Sequence, residues 1–120
     1  MNTENHINYV EFPASDFATV KTFYGKLFNW EFEHYGEEYL AFNDGRMDGG
    51  FYKSEKKAAA SDGAALVIFY AKDLEHLQAQ VIEAGGTVCV PTFSFPGGRR
   101  FHFHDPHGNE LAVWTDMPAS

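Results

Sequence analysis

The sequence predicts an α+β fold of two tandem βαβββ modules, with the sheet curved into a cup and the helices outside. Three observations carry this expectation: two amphipathic helices share a register, short alternating segments follow each of them, and the chain closes on a strand, a tight turn and a strand. In the helices, Asp16, Phe17, Val20, Tyr24 and Leu27 recur as Asp73, Leu74, Leu77, Val81 and Ala84 at one fixed offset. Amphipathic spacing alone is common, whereas matched caps followed each time by three strand-like segments point to an internal duplication. The 120 residues are therefore read as one domain, 1–120, with module one at 5–53, a linker at 54–63 and module two at 64–116.

Taken in order, Ile7-Asn-Tyr-Val-Glu-Phe12 alternates and stops at Pro13, a first strand with Ile7, Tyr9 and Glu11 on one face. Asp16 is suited to cap the first helix, and Asn29 closes its pattern. Trp30 to Tyr35, Glu38 to Asn43 and Met47 to Lys53 read as three strands, separated at Gly36 and at Asn43-Asp-Gly45. Gly49-Gly50 lacks the strand–loop–helix setting of a phosphate-binding loop and is expected to allow close backbone approach at the floor of the cup. Lys53 to Gly63 is polar and small, a surface connection. Leu66 to Ala71 is an apolar strand, Asp73 caps the second helix, Gly85-Gly86 ends it, and Thr87 to Phe95 is a strand kinked or split by Pro91.

The last hairpin is the most informative stretch. Arg100, His102 and His104 share one parity and Phe101 and Phe103 the other, so a strand here has a polar row opposite an aromatic row. Asp105-Pro-His-Gly108 supplies a turn, after which Leu111, Val113 and Thr115 fall on one face and Glu110, Ala112 and Trp114 on the other. Val10, Val67, Phe69, Phe101, Phe103, Leu111 and Val113 are expected to pack against the helices.

Composition narrows the function classes. Twelve phenylalanines among 44% hydrophobic residues describe a globular chain. A formal charge of −8 argues against a nucleic-acid partner, which needs clustered Lys and Arg. No apolar run reaches membrane-spanning length and the first residues lack a signal-peptide pattern, so no membrane association and a cytoplasmic location are expected. Cys89, the single cysteine, forms no internal disulfide and is expected as a small buried residue.

Asp105-Pro-His-Gly-Asn-Glu-Leu111 before an apolar strand, with Val10-Glu-Phe-Pro-Ala-Ser-Asp16 and Phe23-Tyr-Gly-Lys-Leu-Phe-Asn-Trp30, resembles the vicinal oxygen chelate superfamily. That superfamily includes glyoxalase I, extradiol dioxygenases and bleomycin-resistance proteins. The resemblance covers nearly the whole chain and implies a homodimer. It also implies metal ligands, usually His and Glu with some Gln, in the middle of the first, fourth, fifth and eighth strands. Those positions fall on Tyr9, near Gly50, near Leu66 and on Ala112, none a good ligand for a divalent cation.

By parity the cup face also offers Glu11, Asp48, Tyr52, Ile68, Tyr70, Arg100, His102, His104, Glu110 and Trp114. The expected function is binding of a small, partly aromatic or anionic molecule without the superfamily's usual metal. Tyr9, Tyr52, Tyr70, Arg100, His102, His104 and Trp114 are the ligand-binding candidates, with Arg100 on the anionic group. Two alternatives from a different class stay open. His102 and His104, two apart on a strand, can share a divalent metal with Glu11 or Glu110 as third ligand. Glu11 or Glu110 facing His102 or His104 can instead serve as the catalytic acid–base group of a lyase or isomerase. The same side chains can also be ordinary hydrogen-bonded interior.

Overall fold

The computed structural model describes residues 2–119. Its elements are β1 (Tyr9–Ala14), α1 (Phe17–Phe28), β2 (Glu31–His34), β3 (Tyr39–Asn43), β4 (Asp48–Lys53), β5 (Val67–Tyr70), α2 (Leu74–Ala84), β6 (Thr87–Phe95), β7 (Gly98–His104) and β8 (Glu110–Thr115). Two compact units divide the chain between Lys56 and Lys57. Each holds a four-stranded sheet, in the order β1-β4-β3-β2 and β5-β8-β7-β6 respectively. In both, the first strand pairs parallel with the last and the remaining ladders are antiparallel. The duplication expected from the helices is therefore repeated in the strand order.

Both caps form as the sequence predicts. Asp16 Oδ1 accepts the Thr19 amide at 3.2 Å, and Asp73 Oδ1 accepts the His76 amide at 3.0 Å. Asn29 and Gly85 end the helices in the left-handed region, at φ 59° and 111°.

In the first unit, α1 is held to the sheet by aromatic side chains. Trp30 stacks between Tyr24 (centroids 4.5 Å apart) and Phe42 (4.1 Å), while Phe51 meets both Tyr24 and Phe12. The glycine pair makes this possible. A Cβ on Gly49 would collide with the Phe42 ring and the Val10 carbonyl, and one on Gly50 would collide with the Tyr39 ring on the other face. The close approach is thus by aromatic rings on both faces. In the second unit, α2 lies against β6, β7 and β8. Leu74 and Val81 are fully buried there, as are Phe101, Phe103, Leu111 and Val113.

Two details depart from expectation, and the strand around Pro91 proves irregular rather than split. The first strand begins at Tyr9, leaving Ile7 79% exposed, and it runs through Pro13 to Ala14. β1 is an edge strand, and Ala14 accepts the Ser54 amide, so the alternate residue Pro13 turns its nitrogen away from β4 and costs no ladder bond. The connection after Lys56 is anchored rather than a plain surface linker. The Ala58 amide donates to Asn109 Oδ1 (3.0 Å), the Ala60 amide to Glu110 Oε1 (3.1 Å), and the Glu110 amide returns to the Ala58 carbonyl (2.8 Å). β6 stays one strand past Pro91 but with register shifts between Val88 and Val90 and between Val90 and Phe93.

Candidate functional site

The Asp105 turn sets the register of β7 and β8. Asp105 Oδ1 accepts the amides of His107, Gly108 and Asn109 at 2.9–3.0 Å, and Gly108 takes φ 106°. His102 consequently pairs with Ala112, His104 with Glu110 and Arg100 with Trp114. With only a methyl group on Ala112, the Glu110 carboxylate reaches along the face to His102. Its Oε2 accepts from His102 Nδ1 at 2.8 Å, and its Oε1 is taken by the Ala60 amide.

His102 is 8% exposed, and its other ring nitrogen, Nε2, is buried with no hydrogen-bond partner. A carboxylate can only accept, so Nδ1 carries the proton and, in the neutral ring, Nε2 carries the lone pair. The bond from His102 is the main reason that the Glu110 carboxyl is held below its ordinary value; the Ala60 amide adds to the effect and burial opposes it.

Two residues before His102, the Arg100 guanidinium carbon lies 5.3 Å from the Phe93 ring centroid and 5.8 Å from that of Phe95. Arg100 has no carboxylate partner among the described residues, and its Nε is buried without an acceptor. Phe95 and Tyr70 each contact Trp114, and Tyr70 donates to Asp116 at 2.5 Å. The second sheet thus brings Tyr70, Arg100, His102 and Trp114 onto one face with Glu110, as parity predicts, and His104 shares their strand.

Phe93 and Phe95 were not foreseen as part of this face. The two shifts in β6 cancel, so Thr87 faces the side of His104 and Phe93 and Phe95, of the same parity, face the side of Arg100; plain alternation from Thr87 could have found them.

The corresponding face of the first sheet holds Tyr9, Glu11 and Tyr52, with Tyr39 between Tyr9 and Glu11. The Tyr39 hydroxyl donates to Glu11 Oε2 at 2.8 Å and is 2.7 Å from the Tyr9 hydroxyl. Burial first, and then these two hydrogen bonds, push the Tyr39 phenol well above its ordinary value. Sequence reading missed Tyr39, though alternation in Tyr39-Leu-Ala-Phe-Asn43 places it opposite the buried Leu40 and Phe42. Beside it, Tyr9, Glu31, Glu33, Tyr35, Asn43 and Asp48 line an open cleft of about 460 Å³.

The metal positions implied by the resemblance hold Tyr9, Gly50 and Ala112 in β1, β4 and β8, with Leu66 just before β5. Gly50 is covered by the Tyr39 ring, and Gly and Ala offer no side-chain donor. Among the described residues, no three His, Cys, Asp or Glu side chains are grouped so that they could hold an ion. His102 turns Nδ1 to Glu110 and does not join His104 in such a group. The residues present do not fit a chelated divalent cation at the expected positions.

The family model described as Glyoxalase/Bleomycin resistance protein/Dioxygenase superfamily matches residues 6–113. The chain belongs to this superfamily. No curated protein matches it in sequence. Solved members share the fold at low identity. A glyoxalase-related enzyme from Fulvimarina pelagi superposes with a TM-score of 0.74 at 15% identity, over 92% of this chain and 88% of that one. A glyoxalase/bleomycin resistance protein/dioxygenase family enzyme from Burkholderia phytofirmans gives 0.74 at 16%, over 92% and 98%. A mutant of the fosfomycin resistance protein FosX from Listeria monocytogenes, complexed with Mn(II) and 1S,2S-dihydroxypropylphosphonic acid, gives 0.76 at 12%, over 97% and 93%. As a superfamily member the chain keeps the paired βαβββ architecture while lacking side-chain donors at most of the implied ligand positions. No helix among the described residues is long and apolar enough to cross a membrane.

Proposed function

We propose that this superfamily member binds a small molecule carrying an aromatic or apolar part and an anionic group, on the face formed by β6, β7 and β8. The observation that carries the reading is Arg100. In a chain of net charge −8, this guanidinium is clamped by two aromatic rings and has no carboxylate partner among the described residues. Arg100 is half-buried with its Nε shut off from water and from any acceptor, and a carboxylate or phosphonate meeting its planar fork supplies the missing counterion. Phe93, Phe95, Tyr70 and Trp114 supply flat apolar surface for the remainder of the ligand. His104 belongs to the same proposal as a further contact, Tyr9 and Tyr52 are proposed as ligand contacts on the face of the first sheet, and the reading includes a cytoplasmic homodimer working without the superfamily's usual metal.

The test is thermal unfolding of the metal-analysed protein with benzoate, phenylacetate and phenylphosphonate. Benzyl alcohol serves as the uncharged control. Ligand binding to the folded state alone raises stability by RT ln(1 + [L]/Kd), about 2.7 kcal/mol at a hundredfold excess over Kd. A stabilisation by the anions that is absent in Arg100→Gln is expected. Equal stabilisation by benzyl alcohol, or an unchanged response in Arg100→Gln, overturns the anion site. Stoichiometric metal in the purified protein that is required for binding overturns the metal-free part.

A further inference from the structure

We propose that His102 is a metal-free general base that removes a proton from a carbon made acidic by a neighbouring carbonyl, in an oxo carboxylate whose carboxylate is held by Arg100. The proposal rests on the binding site described above and adds a reaction and a substrate class to it.

Two independent observations meet here. His102 is more than nine-tenths buried, yet its Nε2 has no partner, although an unpartnered buried nitrogen is costly to keep. Its Nδ1 is fixed by Glu110, whose second oxygen is fixed in turn by the Ala60 amide, so the ring has a defined tautomer and direction. A histidine serving only as core would gain from satisfying both nitrogens. One pinned nitrogen and one unpartnered nitrogen is the arrangement of a positioned base.

The substrate class follows from spacing. Residues two apart on a strand stand about 7 Å apart on the same face. Arg100 and His102 share this face with Phe93 against both, so a carboxylate on the Arg100 fork leaves the next carbons of the ligand on the His102 side, and the reacting carbon is taken to be one or two bonds beyond the carboxylate. Phe93, which contacts both Arg100 and His102, favours an aryl or apolar substituent. Abstraction breaks the C–H bond and transfers its proton to Nε2. The electron pair left behind forms the new C=C bond, while the carbonyl π pair moves onto oxygen to give an enolate. The resulting imidazolium is paired with Glu110, and returning the proton to carbon or to oxygen closes the cycle as exchange or tautomerisation without any co-reactant. His102 is the catalytic residue and Glu110 a positioning residue.

The probe is 3-benzoylpropionate in D2O, with 4-oxopentanoate as the analogue lacking the ring. Proton NMR follows loss of the signal from the methylene beside the ketone, and thermal shift follows binding. The expected result is saturable exchange above the buffer rate, with the aryl probe preferred. His102→Asn should cut the exchange rate by about 10²–10⁴-fold with binding retained. Glu110→Gln should lower the rate constant at least about tenfold with little change in the half-saturating concentration, a split that general loosening of the fold does not produce. His102→Gln, with its melting checked alongside, guards against misfolding of the first variant. Binding without exchange, or exchange that survives both His102 variants, overturns the base and leaves the binding site standing. Absence of both binding and exchange overturns the binding site and the base together.

Discussion

Glu110 joins two parts of the second unit at a single carboxylate: Oε2 accepts from His102 on β7, and Oε1 accepts the Ala60 amide of the incoming connection. The group is held in its charged form, with its carboxyl below the ordinary 4.5, chiefly through the bond from His102. A carboxyl whose folded value is depressed contributes stability above its unfolded value, and the contribution disappears as pH falls through the folded value. Glu110→Gln should therefore melt below wild type at neutral pH, and the gap should close below about pH 4.5. Melting temperature against pH for both proteins checks this. A gap that is constant from pH 7 to pH 3 would contradict the assignment.

Asn109 is fully buried and carries a second set of links. Its side-chain oxygen accepts the Ala58 amide and its Nδ2 donates to Asp105 Oδ2 at 3.2 Å. Replacing it with Ala removes the acceptor for a part-buried amide, at about 1–3 kcal/mol, or roughly 5–10 °C in Tm. Asn109→Asp should cost more, because it sets a second carboxylate against Asp105. Hydrogen exchange at the Ala58 amide should quicken in both variants. An Asp variant as stable as wild type would show that the link to Asp105 contributes nothing.

Local rules made most of the fold legible. Asp16 and Asp73 announced helix starts, Asn29 and Gly85 their ends, and alternation in Arg100–His104 and Glu110–Thr115 placed core and site residues on opposite faces. What escaped was either non-local or lay at or beyond a proline. Nothing near Ala60 in sequence shows that its amide will meet a carboxylate fifty residues later. Phe93 and Phe95 lie beyond Pro91, where the strand need not continue, and Pro13 reads as a strand end because edge position is a property of the sheet. In the candidate site, the shared face of Arg100, His102, Glu110, Tyr70 and Trp114 was legible by parity. The unpartnered Nε2 and the pinned Nδ1 of His102 depend on side-chain direction, which parity does not give.

The glycine pair of β4 allows an ordered comparison. A Cβ on Gly49 meets the Phe42 ring, stacked on Trp30, and the Val10 carbonyl of the parallel neighbour, so neither can yield cheaply. A Cβ on Gly50 meets Tyr39, whose side chain can swing outward at the loss of its two hydrogen bonds. Gly49→Ala should destabilise by about 2–3 kcal/mol and Gly50→Ala by about 1 kcal/mol. Chemical denaturation of both variants gives the order, and the reverse order would show that the Tyr39 face is the more rigid.

Tyr39 gives the last prediction. Burial and bonds to Tyr9 and Glu11 raise its phenol, so its proton is held more tightly in the folded chain than in the unfolded one. That stability is fully present below the ordinary tyrosine value of 10.0 and is lost as pH rises above it, because the unfolded phenol then ionises while the folded one resists. In an ultraviolet titration of the folded protein, the difference between wild type and Tyr39→Phe should contain one phenol that ionises late or only on alkaline unfolding. Tyr39→Phe should also shift alkaline unfolding to higher pH, since it removes the group whose ionisation favours the unfolded chain. At neutral pH the same substitution should change stability by no more than about 1 kcal/mol, the net worth of an accessible hydrogen bond. A missing phenol that titrates with the ordinary tyrosines would show that the Tyr9–Tyr39–Glu11 chain is open in solution.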